Sequence, residues 1–231
     1  VNVTPSSQAH PRIRTFQGRR NRMTPTQQQG LEQFGHHLLP MQPGHLEQVQ
    51  VFGRQAPLVL EIGCGMGDST VTQAELAPDI DVLAVDVHTP ALGSLLRKQD
   101  RRGVSNLRAM EADAVSVIET MIAPAALHGV RIYFPDPWPK PRHRKRRLVQ
   151  LPFVRLLLPR LAPGGFIHCA TDDLGYGQQM LQVFDEEAGL VNAFDGFAPR
   201  PADRPVTKYE RRAERHGRSV VDIYVTRRLD L

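Results

Sequence analysis

The run Leu58-Val59-Leu60-Glu61-Ile62-Gly63-Cys64-Gly65-Met66-Gly67 limits what this chain can become more than any other stretch. A short apolar run ending in glycine reads as a buried strand. The three alternate glycines behind it let the backbone turn sharply and approach a ligand with no side chain in the way. Asp68 to Leu76 then reads as a helix, and the same alternation continues down the chain. Strands are expected at 82–87, 107–111, 129–134 and 165–170, with two closing strands at 190–194 and 219–227. Helices are expected at 90–102, with Pro90 suited to a first turn, at 114–121, at 146–161, bent or broken near Pro152, and at 175–188. Alternating elements of this length imply an α/β fold, a mostly parallel seven-stranded sheet with helices on both faces.

Composition allows this. At 231 residues, with 41% hydrophobic and 23% charged, the chain can bury the core of one large domain or two small ones. No apolar run approaches the roughly 18 residues of a membrane span, and the first residues lack the apolar block of a secretory signal. Cys64 and Cys169 have no metal-type spacing and no Cys/His partner set, so no metal site is expected; free thiols in a cytoplasmic protein account for them.

The net charge of +5 conceals a segregation. Between Val59 and Asp136 there are 11 Asp/Glu against 6 Lys/Arg, which leaves 13 against 23 elsewhere. An acidic centre in a basic frame suits a small cationic cofactor inside and a polyanion outside. Residues 1–29 contain no acid but carry Arg12, Arg14, Arg19, Arg20 and Arg22, and read as a basic, partly ordered arm broken by Pro5, Pro11 and Pro25. A short helix at 27–39, capped by Thr24 or Thr26, joins it to the remaining domain, 30–231.

Glu61, Gly63 and Gly65 shape the loop after the first strand, and Asp86 ends the second, where an acid binds both hydroxyls of a ribose. Strand before, helix after and acid at the next strand end together point to a nucleoside cofactor. Two classes stay open. A dinucleotide fingerprint is G-x-G-x-x-G/A, whereas this loop is G-x-G-x-G with an acid on the strand; Glu61 disfavours a pyrophosphate and suits an ammonium. Asp113, after the third strand, reads either as an adenine-edge contact or as a helix cap.

The second landmark is Ile132-Tyr133-Phe134-Pro135-Asp136-Pro137-Trp138-Pro139-Lys140-Pro141 followed by Arg142-His143-Arg144-Lys145-Arg146-Arg147. Prolines stiffen the turn and deny it helix or central strand. Asp136 enters the same crevice as the glycine loop because it follows a strand end. Trp138 either stacks on a base or packs beneath the loop, and the basic run either meets phosphates or is a solvated face.

The glycine loop resembles motif I of class I S-adenosylmethionine-dependent methyltransferases, a Rossmann-like fold. The run from Phe134 to Arg147 is more specific and resembles the signature of bacterial tRNA (guanine-N7)-methyltransferases. So do Thr207-Lys208-Tyr209-Glu210, Gly217, Val221-Asp222-Ile223-Tyr224 and Arg12-Ile13-Arg14-Thr15-Phe16. The resemblance spans nearly the whole chain in order. It implies S-adenosylmethionine at Glu61, Gly63, Gly65, Asp86, Asp113 and Asp136, with Asp136 the catalytic acid. It places substrate on Lys140, Asp172, Thr207, Lys208, Tyr209 and Glu210, and RNA on Arg142, His143, Arg144, Lys145, Arg146 and Arg147. The implied acceptor is N7 of guanine 46 in the variable loop of tRNA, with the protein a monomer or homodimer. Two departures stand out: Tyr209 replaces the common Phe, and Arg211-Arg212-Ala213 lacks the family's glycine.

N7 has no proton to remove, so Asp136 reads first as an orienting and charge-stabilising group and only second as a base. Other base or small-molecule methyltransferases, and a non-catalytic RNA-binding protein, are the rival readings.

Overall fold

A computed structural model describes residues 13–16 and 22–230. Arg12, Arg19 and Arg20 of the expected basic arm lie outside the described residues. The sheet contains β1 (Leu58–Ile62), β2 (Asp81–Asp86), β3 (Leu107–Glu111), β4 (Leu127–Tyr133), β5 (Leu161–Thr171), β6 (Leu190–Asn192) and β7 (Val221–Arg227), in the order β3-β2-β1-β4-β5-β7-β6. Neighbours from β3 through to β5 run parallel, while β7 is antiparallel to both β5 and β6. The order reverses between β1 and β4, which opens a crevice at their carboxyl ends.

Successive side chains leave opposite faces of a strand, and both faces here are apolar. On β2, Leu83 and Val85 join one cluster while Val82 and Ala84 join another. The first is covered by α5 (Ala114–Thr120), α6 (Leu151–Leu157) and α7 (Leu174–Asp185). The second is covered by α3 (Asp68–Leu76) and α4 (Thr89–Arg101), with Leu31 and Phe34 of α1 (Pro25–Phe34) packed against it. The remaining helices are α2 (Gln48–Phe52) and α8 (Lys208–Arg215).

α1 and α4 meet through two glycines. A Cβ on Gly30 would lie 2.1 Å from the Gly93 carbonyl oxygen, and one on Gly93 would lie 2.2 Å from that of Gln27. No larger residue fits that crossing without separating the helices.

Three boundaries differ from expectation. α1 starts at Pro25 because Thr24 and Gln27 form a capping box, with Gln27 N–H donating to Thr24 Oγ1 at 3.3 Å. It stops well before Leu39 because Leu38 bridges to Ala109 and the Leu39 N–H donates to the Ala109 carbonyl at 2.8 Å, against β3. The expected helix at 146–161 is instead a 3₁₀ turn (Pro141–Arg146), then α6 with Pro152 in its first turn, then a 3₁₀ turn (Leu158–Arg160), with β5 already begun at Leu161. Three prolines near that segment reset the backbone each time.

Candidate active site

Gly63, Gly65 and Gly67 all have positive φ, at 81°, 53° and 78°. Gly67 is the most constrained. A Cβ there would sit 2.7 Å from Leu95 Cβ, so α3 and α4 close up only around glycine. At Gly63 and Gly65 an added Cβ meets nothing within 4 Å, and both line a cavity of about 510 Å³. Lys98 ties the loop down, donating to the Met66 carbonyl at 2.7 Å and pairing with Asp68 at 2.6 Å.

Asp86, also lining the cavity, is positioned by the backbone around it. Its Oδ2 accepts the Gly65 N–H at 2.8 Å and its Oδ1 the His88 N–H at 2.9 Å. Each carboxylate oxygen accepts more than one hydrogen bond, so a diol can be taken on the side facing the cavity. Asp113 lines the same cavity and caps α5, Oδ1 accepting the Val115 N–H at 3.2 Å. The two readings of this residue are therefore compatible.

Glu61 lies deeper, beneath the loop, at 3% exposure. Its Oε1 accepts from the Thr70 hydroxyl at 2.7 Å, joining β1 to α3, while Oε2 has no hydrogen-bond partner among the described residues. Burial raises the Glu61 carboxyl above its ordinary value, with Arg131 partly opposing that. Glu61 itself is outside the cavity lining, so its unpartnered oxygen reaches a ligand only from beneath the loop, while Asp86 puts a carboxylate in the lining that suits a cationic nucleoside.

The opposite wall is the chain that leaves β4. Phe134 has a φ of 53° and its N–H donates to the Ala170 carbonyl at 2.7 Å. Beyond this bend Pro135 and Asp136 line the same cavity as the glycine loop. Lys208 and Tyr209 form part of the rim, and the Tyr209 ring stacks on Phe134 with centroids 5.7 Å apart. Thr15, Phe16, Arg22, Thr24 and Gln27 also line the cavity. By sequence these read only as arm and helix cap; the signals that mark them are the Arg-Ile-Arg-Thr-Phe segment and the Thr24–Gln27 box.

Other expected site residues lie elsewhere. Thr207 caps α8, accepting the Glu210 N–H at 3.1 Å. Glu210 faces inward, its carboxylate bound by Arg204 at 2.7 Å and Arg200 at 3.0 Å. Asp172 pairs with Arg218 at 3.0 Å outside the cavity lining. Trp138, with 7% exposure, packs beneath the loop. Its Nε1–H donates to the Thr15 carbonyl at 3.2 Å, and the Arg146 guanidinium lies 4.9 Å from its ring.

The basic run divides. Lys140, Arg142, Arg144, Lys145 and Arg146 are exposed, but Arg147 is turned inward at 4% exposure. Its guanidinium donates to the Pro137 carbonyl at 2.8 Å and Gln179 Oε1 at 2.6 Å, above the Tyr176 ring. A side chain so occupied corrects the expectation that Arg147 meets RNA; it fastens the proline-rich loop to α7. Desolvation and the cations Arg142, Arg146, Lys140 and Lys145 lower His143 below its ordinary value, so at neutral pH it adds little charge to this face.

Residues 55–223 match the family model described as "Putative methyltransferase". The chain is 47% identical to the tRNA (guanine-N(7)-)-methyltransferase of Paraburkholderia xenovorans, over 98% of this chain and 88% of that protein. It is 49% identical to the enzyme of that name from Bordetella pertussis, over 96% and 88%. This chain belongs to the tRNA (guanine-N(7)-)-methyltransferase family. Solved structures agree on the fold alone. The 16S rRNA methyltransferase KamB superposes with a TM-score of 0.58 at 15% identity, covering 81% of this chain and 95% of that one. The cavity lies at the reversal of strand order, where open α/β sheets bind ligands, and both Asp86 and Asp136 line it.

Proposed function

We propose that this protein transfers a methyl group from S-adenosylmethionine to N7 of a guanine in tRNA, guanine 46 of the variable loop. The observation that carries the reading is the meeting, across one cavity, of the Asp86-buttressed glycine loop and the Asp136 loop, in a chain nearly half identical to enzymes of that name. Asp86 takes the ribose hydroxyls, Gly63 and Gly65 admit the donor's backbone-facing edge, Asp113 meets adenine, and Glu61 offers its unpartnered Oε2 from beneath the loop. S-adenosylmethionine, when bound, supplies an electrophilic sulfonium methyl.

Asp136 accepts from the guanine N1–H and exocyclic amino group, which fixes the ring and disfavours adenine, whose edge presents a different donor pattern. No residue has to remove a proton from N7, and the carboxylate offsets the positive charge the purine acquires. Lys208 and Tyr209 close the rim, with Thr207 holding their turn. Asp172 acts from the periphery with Arg218, and Lys140 meets the RNA backbone. Residues 1–29 serve as a basic RNA-facing arm on the domain 30–231. No helix among the described residues is long and apolar enough to cross a membrane. A tRNA substrate implies work in the cytoplasm, as a monomer or homodimer.

The test is methyl transfer to unmodified tRNA transcripts carrying guanine or adenine at position 46, read by nucleoside mass spectrometry. 7-Methylguanosine in the first transcript only is expected; none in either sinks the proposal.

The exposed basic residues make a separate prediction. Replacing Arg144, Lys145 and Arg146 with Ala should weaken tRNA binding and flatten the dependence of log Kd on log salt by up to about 0.9 for each phosphate no longer neutralised. Arg147→Ala should instead lower the unfolding midpoint and leave that slope intact. Fluorescence anisotropy titrations at several salt concentrations measure it, and an unchanged slope in the triple variant means the run is only solvated.

A further inference from the structure

Arg204 lies in the segment between β6 and α8 and is among the largest fully buried side chains, at 1% exposure. Its guanidinium donates to both Glu210 oxygens, at 2.7 and 3.2 Å, and to Asp222 Oδ2 at 2.9 Å. Asp222 Oδ1 lies 2.7 Å from His168 Nε2, and His168 Nδ1 lies 2.9 Å from the Tyr133 hydroxyl. Gln73 of α3 completes the chain with a bond of 3.4 Å to that hydroxyl. A continuous buried polar path thus runs from the helix behind the glycine loop, across β4, β5 and β7, into the first turn of α8.

Buried ion pairs are a weak source of stability, because desolvation offsets most of the attraction. Their geometry is another matter. Glu210 is fixed inside the protein, while Tyr209 and Lys208, one and two residues before it, stand on the cavity rim. Tyr209 in turn stacks on Phe134, two residues ahead of Asp136. We propose that Arg204 is a positioning residue for methyl transfer: by clamping Glu210 to Asp222 it sets the first turn of α8, and so the placement of Tyr209 and Lys208 over the reacting groups. Glu210 then acts from behind the site rather than by touching guanine. This rests on the methyl-transfer reading above.

The experiment compares the full chain with Arg204→Lys, Tyr209→Ala and the double variant. It records folded fraction by circular dichroism, donor Kd by calorimetry, and kcat and KM on tRNA per folded molecule. Lysine keeps the charge but cannot bridge two carboxylates in a fixed fork. Arg204→Lys should leave donor affinity nearly unchanged and lower kcat about ten- to a hundredfold, the scale of a misplaced reacting group. In the Tyr209→Ala background the same change should cost little, since both act through one contact. A merely structural role would lower the melting midpoint while leaving kcat per folded molecule intact. Wild-type kcat in Arg204→Lys, or effects that multiply in the double variant, overturns the assignment. Should the lysine variant not fold, Glu210→Gln keeps the shape and the Arg204–Asp222 pair, and an undiminished kcat there is equally fatal. Product absent from the wild type overturns the methyl-transfer reading, and this assignment with it.

Discussion

Asp136→Ala is expected to slow methyl transfer to tRNA by about a hundred- to a thousandfold, the usual cost of deleting one preorganised group at a centre of developing charge. Donor binding should be nearly unaffected, because the glycine loop and Asp86 come from the ends of β1 and β2, whereas Asp136 follows β4. Three contacts made by neighbouring residues also hold the loop that presents the acid. The Phe134 N–H is bonded to the Ala170 carbonyl, Arg147 holds the Pro137 carbonyl, and Trp138 is packed below. Circular dichroism and the unfolding midpoint of the variant check that the loss lies in the chemical step. Asp136→Asn removes the charge and also replaces one of the two acceptors by a donor facing a guanine N–H, so substantial activity there would argue against both roles of the carboxylate. Single-turnover transfer of labelled methyl, alongside calorimetric donor titration, measures both. Near-wild-type turnover in the alanine variant would remove Asp136 from the mechanism.

Asp86→Ala should act on the other side of the cavity, weakening donor binding by about a hundredfold or more. The carboxylate accepts the Gly65 and His88 N–H groups, so its removal strands two backbone donors as well as the ribose hydroxyls. In the variant a bound donor would cover these part-buried N–H groups with no acceptor and leave its own hydroxyls unpaired, and about 1.4 kcal/mol is a factor of ten in affinity. Turnover at saturating donor should fall much less than affinity, the reverse of the Asp136 pattern. Equal loss in both parameters would mean that the glycine loop had rearranged, which the hydrogen-exchange rate of the Gly65 amide reports directly.

The strands are legible in the sequence because each is an apolar run with a recognisable stop, and the crevice follows from acids placed at those stops. The direction of side chains in irregular segments is not. Arg147 continues a run of cations by composition, yet the backbone after the 3₁₀ turn swings it inward onto Tyr176. Glu210 sits in a motif that suggests contact with substrate. Its partner Arg204 is six residues back, and Arg204 reaches Asp222 eighteen residues further on, separations over which no local pattern pairs charges. Trp138 leaves two readings open because burial of a loop aromatic depends on what covers it. Here that cover includes Thr15, from a segment whose neighbours lie outside the described residues. The helix expected at 146–161, bent or broken near Pro152, is confined to Leu151–Leu157, with Pro152 in its first turn and Pro159 in the 3₁₀ turn that follows it.

The place of β7 in the sheet has a bearing on synthesis. It follows every other strand in the chain yet enters between β5 and β6. A nascent chain lacking it leaves the long edge of β5 unpaired, gives β6 no neighbour, and deprives Arg204 and His168 of Asp222. The parallel pairs among β1, β2 and β3 meet no such delay. On the ribosome, then, β5 remains an adhesive edge until the final strand arrives.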